Sequence, residues 1–313
     1  MIVVGGEALI DLVVAGDGQA VGVPGGGPFN AARTIGRLGV DVSFLGALSD
    51  DRFGSMLRDR LLADGVDLGM AVSTDRPTTL AVAELDERGA AAYRFYLEGT
   101  SAPELHAGTI DPAALIAAAA LHVGTLGLVL EPMASTLEDV VLASPANAVV
   151  LVDANCRPGA VTDHSRYLDR LHRTMNRADV IKVSADDLVY LGPARDPLRT
   201  AFDLAHRHDS VVLLTDGPAE VRCIAPAWHT AVPAPQVEVV DTIGAGDAFG
   251  ASFLAGWIAA GLGRGDLCDR DQVAHLVGFA GQVAAITCQR SGADPPRAAE
   301  LTGWPVQRLQ PAP

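Results

Sequence analysis

Residues 241–256 read DTIGAGDAFGASFLAG, with a strand-like VEVVD running into Gly244, Ala245 and Gly246 and a helical stretch following at once. Small residues at such a junction let the main chain approach a ligand and leave amide N–H groups at the helix start without internal partners. The helix dipole adds positive potential there. The turn therefore forms an anion hole suited to a phosphoryl group. Asp247 stands in the first helical turn beside it, where a carboxylate can take the proton of an attacking hydroxyl. A carboxylate held charged at a helix N-terminus is a weak base. Phosphoryl transfer tolerates one, because its transition state is loose and the hydroxyl proton moves late. The alternative is that Asp247 only complements the dipole; the small-residue turn before it favours chemistry.

A second constellation, VPGGGPFNAARTIGRLG, spans 23–39. Its glycines permit close approach of a ligand to the backbone, and Asn30 either caps the helix that begins near Phe29 or donates to a hydroxyl. The run is not GxGxxG, and no acid is placed to suit a dinucleotide ribose. Asp11 is a lone acid in the apolar EALIDLV. Such an acid is costly if buried unpaired. Two sugar hydroxyls would satisfy it, as would a strand end facing water.

Several classes are excluded. Lysine occurs once, at Lys182 in VIKVSAD. A Walker A loop needs Gly-Lys-Ser/Thr, so no P-loop exists here, and the protein-kinase motif set is absent. Any nucleotide phosphates must be held mainly by amides and helix ends. The net charge of −15 argues against a nucleic-acid partner, although a small anion can still find a local positive site. The four cysteines include no CxxC pair and read as reduced thiols, as expected of a cytoplasmic protein. His206 and His208 form an isolated HxH with no Cys or Asp cluster, so zinc is not expected. The N-terminus lacks a basic leader and is interrupted by Glu7 and Asp11, which suggests a first buried strand and not a signal peptide. No run of about 18 uncharged apolar residues suggests a membrane span. The nearest, 114–130, reads as a helix followed by a strand.

The elements that must position these residues alternate. Strand candidates lie at 1–4, 42–46, 120–124, 148–153, 179–183 and 210–215. Helical patterns fall at 29–38, 51–64, 131–143 and 165–177, and again from 245 to about 260 and from about 270 to 288. Continuous apolar strands imply a parallel sheet covered on both faces, hence a doubly wound α/β fold. Residues 79–98 break the rhythm as two strands around a polar turn at Asp86–Gly89. They read as a small projecting element joined by 12–22, or else as an ordinary edge hairpin. No repeat or linker divides 1–313, and the tail QRLQPAP is expected to fray.

GGGPFNAARTIGRLGVDVSFLGALSDDRFG (25–54) and DTIGAGDAFGASFLAG together resemble the two signatures of the PfkB, or ribokinase-like, carbohydrate kinases. The resemblance runs over nearly the whole chain and includes GEALIDL, the hairpin near 79–98 and the closing CQRSGADPP. It implies one domain, a three-layer α/β sandwich with a mostly parallel central sheet, and a small β lid from about 12–22 and 78–98. It also implies ATP and Mg2+ as cofactors and transfer to a primary sugar hydroxyl. By the same resemblance Asp247 is the base and Gly244, Ala245 and Gly246 the anion hole. Asp11, Gly26, Gly27, Asn30 and the lid residue Tyr96 contact sugar. Arg157 in DANCRPG resembles the arginine of a DPNxR segment, and meets a phosphate or substrate oxygen, or else pairs with a surface acid. Thr215 and Gly217 in LLTDGPAE match a nucleotide-binding turn. The family's NxxE appears as Ser184 to Asp187, which places Asp187 near magnesium through water. Asp241 and Ile243 lie where some members bind a monovalent cation, potassium. Gly281 stands where members often carry an Asn near the adenine.

The same features lean towards the fructokinase-like branch. Ribokinase-like members tend to carry a lysine in the glycine loop, where this chain has Pro28. Ketodeoxygluconate-kinase-like members usually place an arginine after the lid aromatics; here Leu97 follows Tyr96, and Arg94 precedes Phe95. A nucleoside kinase and a non-catalytic sugar-binding sensor remain the alternatives. Some members dimerise through the lid.

Overall fold

The computed structural model describes residues 1–15, 17–85, 91–192 and 196–307. The polar turn at Asp86–Gly89 and the tail beyond residue 307 lie outside them. Among the described residues the main sheet has eight strands. Its order is His229–Pro233, Glu220–Ile224, Val211–Thr215, Val180–Ser184, Val149–Asp153, Ala120–Gly124, Ile2–Gly5 and Val42–Leu45. The strands from Val211–Thr215 to Val42–Leu45 are all parallel. Strands buried on both faces need near-continuous apolar runs, and the first four residues of VVLVD and of VVLLT supply them. The two outermost strands run antiparallel as a hairpin and were not anticipated from the sequence. The last of them, HTAVP, alternates exposed and half-buried residues at an edge.

Successive strand residues feed two cores. Val149 and Leu151 pack with Phe29, Ile35, Phe253, Trp257 and Val283 on one face. Val150 and Val152 pack with Met133, Leu137, Leu171 and Leu204 on the other. Helices Gly27–Arg37, Ala245–Ala259 and Arg270–Cys288 thus cover one face, and Met133–Leu142, His164–Met175 and Pro197–His208 the other. This is the expected three-layer sandwich. Ala245–Ala259 is apolar nearly all round, and Asp247 through Trp257 are buried without a break, as an inner helix requires.

The small sheet is a separate four-stranded layer in the order Ala20–Gly25, Leu9–Val14, Leu80–Leu85, Ala91–Tyr96. It begins at Leu9, earlier than the sequence suggested. Its register pairs Asp11 with Val23 and Ala81, Ala81 with Phe95, and Leu80 with Tyr96. Directly paired residues share a face and neighbours along a strand alternate. Asp11, Ala81 and Phe95 therefore face one way and Tyr96 the other.

One buried carboxylate ties distant segments together. Asp64, its side chain 1% exposed, accepts from Arg33 at 2.8 Å, Arg37 at 2.9 Å and Arg297 at 3.0 Å. Arg33 also donates to the Ala293 carbonyl and Arg37 to Asp294. The helix carrying Asn30 is thereby fastened to the segment 293–297. No described helix is long and apolar enough to cross a membrane.

Candidate active site

A cavity of about 710 Å3 opens between the lid sheet and the C-terminal ends of the parallel strands, where open α/β sheets bind ligands. Asp11, Gly26, Gly27, Asn30, Arg157, Gly244, Gly246 and Asp247 all line it. Residues more than 200 positions apart in sequence are thus brought to one place.

Asp247 enters from the first turn of Ala245–Ala259, whose N-cap Gly244 has φ 77°. That left-handed backbone suits glycine, and a methyl group there would also stand 2.5 Å from the Ala293 Cβ. The Asp247 carboxylate is 9% exposed and held at both oxygens. Asn30 Nδ2 donates to Oδ2 at 2.9 Å, and Asn155 Nδ2 donates to Oδ1 at 3.2 Å. A carboxylate only accepts, so both amide groups must present nitrogen to it. Asn30 therefore does not cap its helix. Its Oδ1 is left buried without a protein partner. In the anion turn the Ala245 amide is already given to the Thr242 carbonyl at 3.2 Å, and Ala245 does not line the cavity. Gly244 and Gly246 line the cavity, beside the exposed Thr242 and Ile243.

The lid supplies Asp11, whose carboxylate lies across Gly25; a methyl group at Gly25 would fall 2.0 Å from its Oδ2. Burial, with the neighbouring Asp247 charge, pushes the Asp11 carboxyl up to about 6. Arg157 reaches the cavity while its Nη1 donates to the Asn155 and Cys156 carbonyls. Tyr96 is a correction: it is 52% exposed on the opposite lid face, and Phe95 lines the cavity in its place.

The expected nucleotide residues are assembled apart from the cavity lining. Ser184 and Thr215 are register partners at adjacent strand ends. Thr215 Oγ1 donates to the Val183 carbonyl, and Gly217 turns beyond it with φ 51°. Ser184 and Asp187 close a capping box on the helix Ala185–Leu191. The Asp187 oxygens accept from the Cys156 amide at 2.6 Å and the Ser184 amide at 2.8 Å. Both oxygens of this buried carboxylate are thus engaged by backbone amides. The Asp241 oxygens likewise accept from the Ile243 and Gly292 amides, fastening the turn before Gly244 to the closing SGAD segment.

Three residues of the site were not anticipated. Glu7, 1% exposed, accepts from the Gly27 amide at 3.1 Å and the Gly127 amide at 3.0 Å. Burial outweighs those amides and pushes its carboxyl up to about 8. Thr125 directly follows the strand Ala120–Gly124 and Asn155 stands two residues beyond the neighbouring strand Val149–Asp153, at φ 55° and 33°. Both take a backbone form that is uncommon outside glycine and concentrates at functional sites. Asn155 bridges Thr125 Oγ1 and Asp247. The only sequence signal for Glu7 is a charge inside an apolar run.

The chain matches the pfkB family carbohydrate kinase over residues 1–299. It belongs to that family. Among curated proteins it is 33% identical to a fructokinase of Rhizobium leguminosarum bv. trifolii over 280 residues, 88% of this chain and 84% of that protein. It is 34% identical to a fructokinase of Klebsiella pneumoniae over 260 residues, covering 82% and 84%. Among solved structures, fructokinase with bound ATP from Xylella fastidiosa superposes with a TM-score of 0.87 at 28% identity over 93% of both chains. A sugar kinase from Pyrococcus horikoshii in complex with ATP gives 0.83 at 26% identity, covering 96% and 97%. As a pfkB member the chain is an ATP-dependent carbohydrate kinase with the ribokinase-like fold.

Proposed function

We propose that this kinase transfers the γ-phosphoryl group of ATP to the terminal primary hydroxyl of fructose or a neutral hexose of similar shape. The observation that carries this reading is the Asp247 carboxylate, gripped by Asn30 and Asn155, facing the same cavity as Asp11. Asp11 accepts two sugar hydroxyls, Asn30 Oδ1 a third, and the Gly26–Gly27 backbone and Phe95 shape the walls. The hydroxyl to be phosphorylated points at Asp247, which takes its proton. The phosphoryl group lies over Gly244–Gly246 at the helix N-terminus, with the Arg157 guanidinium on its oxygens.

Ser184, Thr215 and Gly217 hold the nucleotide. Asp187, 5% exposed, meets magnesium through water. Asp241 and Ile243 hold potassium through remaining carboxylate and carbonyl lone pairs. The names of the relatives support a fructokinase, and the lining charges agree. The Asp11 and Asp247 carboxylates outnumber Arg157 in the cavity, which disfavours the carboxylate of 2-keto-3-deoxygluconate. Residues 1–313 act as one domain under the lid. Val21 and Val23, exposed on the Asp11 face of an edge strand, are the surface through which a second copy pairs. Free cysteines support a cytoplasmic setting.

ADP release measured with fructose, tagatose, ribose, 2-keto-3-deoxygluconate and adenosine tests the substrate. Fructose is expected to lead in kcat/KM by at least about tenfold, the discrimination of about one buried hydrogen bond. Preference for ribose, adenosine or the sugar acid would overturn the reading, and sugar binding without transfer would return it to a sensor. Asp11 adds a pH signature. Its carboxyl is ionised above about 6, so the fructose KM should be flat at pH 7–8 and rise toward pH 5, about tenfold per pH unit below that value. Asp11→Asn should give a high KM with little pH dependence. An unchanged wild-type KM between pH 7.5 and 5 would remove Asp11 from sugar binding.

A further inference from the structure

The single lysine of the sequence is inside the protein. Lys182 is 3% exposed on the strand Val180–Ser184, and its ammonium lies 3.1 Å from Asp153 Oδ2 on the neighbouring strand. The helix that carries Asp247 lies directly on this pair. A methyl group on Gly246 would stand 3.0 Å from Lys182 Nζ. One on Gly250, a turn further along, would stand 3.6 Å from His122 Nε2 and 4.0 Å from Asp153 Oδ2. Positions four apart lie on one helix face, so the two glycines form the stripe that lets the helix approach. Lys182 does not line the cavity, and the site as described makes no use of it.

The pair is an expensive way to join two strands. Burying two charges costs several kcal/mol of desolvation each, and apolar residues of similar volume often serve a fold as well or better. Its surroundings give it another use. Burial draws the Lys182 ammonium down, but the carboxylates of Asp153, Asp187 and Asp247 more than compensate and hold it above its ordinary value. Burial and the nearby ammonium push His122 down to about 4, so it adds no positive charge. Lys182 is therefore the one cation in this cluster of described groups, and it is locked in place.

We propose that Lys182 is a positioning residue for phosphoryl transfer: its ammonium, sealed beneath Gly246 and pinned by Asp153, acts through the Gly244–Asp247 turn to hold an incoming phosphoryl group above a floor of carboxylates. An anion arriving at the turn meets Asp247 in front and Asp153 and Asp187 behind. A fixed cation under the turn offsets that repulsion, and it does so without reorganising during the reaction. The proposal rests on the kinase reading, and wild-type turnover in the same assay checks that reading separately.

The test uses the full chain with Lys182→Met and Asp153→Asn combined, which removes both buried charges together, and with Asp153→Asn alone. The double variant should melt cooperatively and lose about 100-fold in kcat, on the scale of removing one preorganised donor. Its fructose KM should stay within about threefold, since the sugar contacts are untouched. Capture of ADP with aluminium fluoride in the presence of sugar should weaken in parallel, and binding of ADP alone should not. Asp153→Asn alone keeps the cation but loosens it, and should cost only about fivefold in kcat, because the charge itself remains. A double variant within threefold of wild-type kcat, or a loss lying wholly in KM, overturns the proposal. So does an Asp153→Asn protein that folds yet loses about 100-fold in kcat, a measurement that stands if the double variant does not fold.

Discussion

Replacing Asp247 by Asn should lower kcat by about 10³-fold, the middle of the range for a lost general base, while leaving ATP affinity within about threefold. The substitution is close to isosteric, but it is not neutral to its neighbours. Both Asn30 and Asn155 present nitrogen to the Asp247 carboxylate, and a carboxamide offers one acceptor oxygen where two were engaged. One donor is then left facing an NH2 group, at a cost of about 1–3 kcal/mol for a buried unsatisfied group. The variant should therefore melt somewhat lower than wild type yet remain folded, and nucleotide titration should report an intact binding surface. Single-turnover phosphoryl transfer separates chemistry from product release. If the folded variant keeps more than about a tenth of wild-type turnover, far above the range for a lost base, Asp247 is not the proton acceptor.

Asp64→Ala should destabilise the protein by about 3–5 kcal/mol, the cost of breaking a buried pair by removing one partner. Three guanidinium groups converge on this carboxylate, and Arg33 and Arg37 have side chains only 5% and 7% exposed. Truncation leaves them with no buried counter-charge at that point. The loss is large against the total stability of about 5–15 kcal/mol typical of native proteins. It should appear in urea unfolding as a lower midpoint with an unchanged slope. It should also appear in catalysis, since Arg33 holds the Ala293 carbonyl and Ala293 packs against Gly244 of the anion turn. A loss under about 1 kcal/mol would show that the three arginines find solvent or other partners at no cost, as exposed pairs do.

The sandwich was legible because its information is local. VVLVD and VVLLT each open with four consecutive apolar residues, as a doubly covered strand requires, and the helical stretches between them carry one apolar face. The edge hairpin Glu220–Ile224 and His229–Pro233 escaped notice because EVRCI and HTAVP are interrupted by polar residues and carry no continuous apolar run. The anion turn and Asp247 were legible for the same local reason: a strand, three small residues and a helix lie consecutively in sequence. What supports Asp247 was not. Asn155 and Glu7 act through contacts 92 and 120 residues away in sequence, and nothing in their neighbours announces such contacts. Tyr96 was misplaced by one residue. The aromatic pair was visible, but only the pairing of Ala81 with Phe95 decides which ring faces the cavity. Lys182 stood out as a count and not as a part of the site, because its neighbours Asp153 and Gly246 come from other strands and helices.

Only three residues separate the end of the main-sheet strand Ile2–Gly5 from the start of the lid strand Leu9–Val14, and the middle one, Glu7, is anchored to Gly27 and Gly127. Hub and cover are thus two ends of one short rod. The lid has no slack of its own, and a carbohydrate that grasps Asp11 is pulling on the same stretch of chain that shapes the glycine loop. The position of the roof over the cavity is therefore tied to the glycine loop through Glu7.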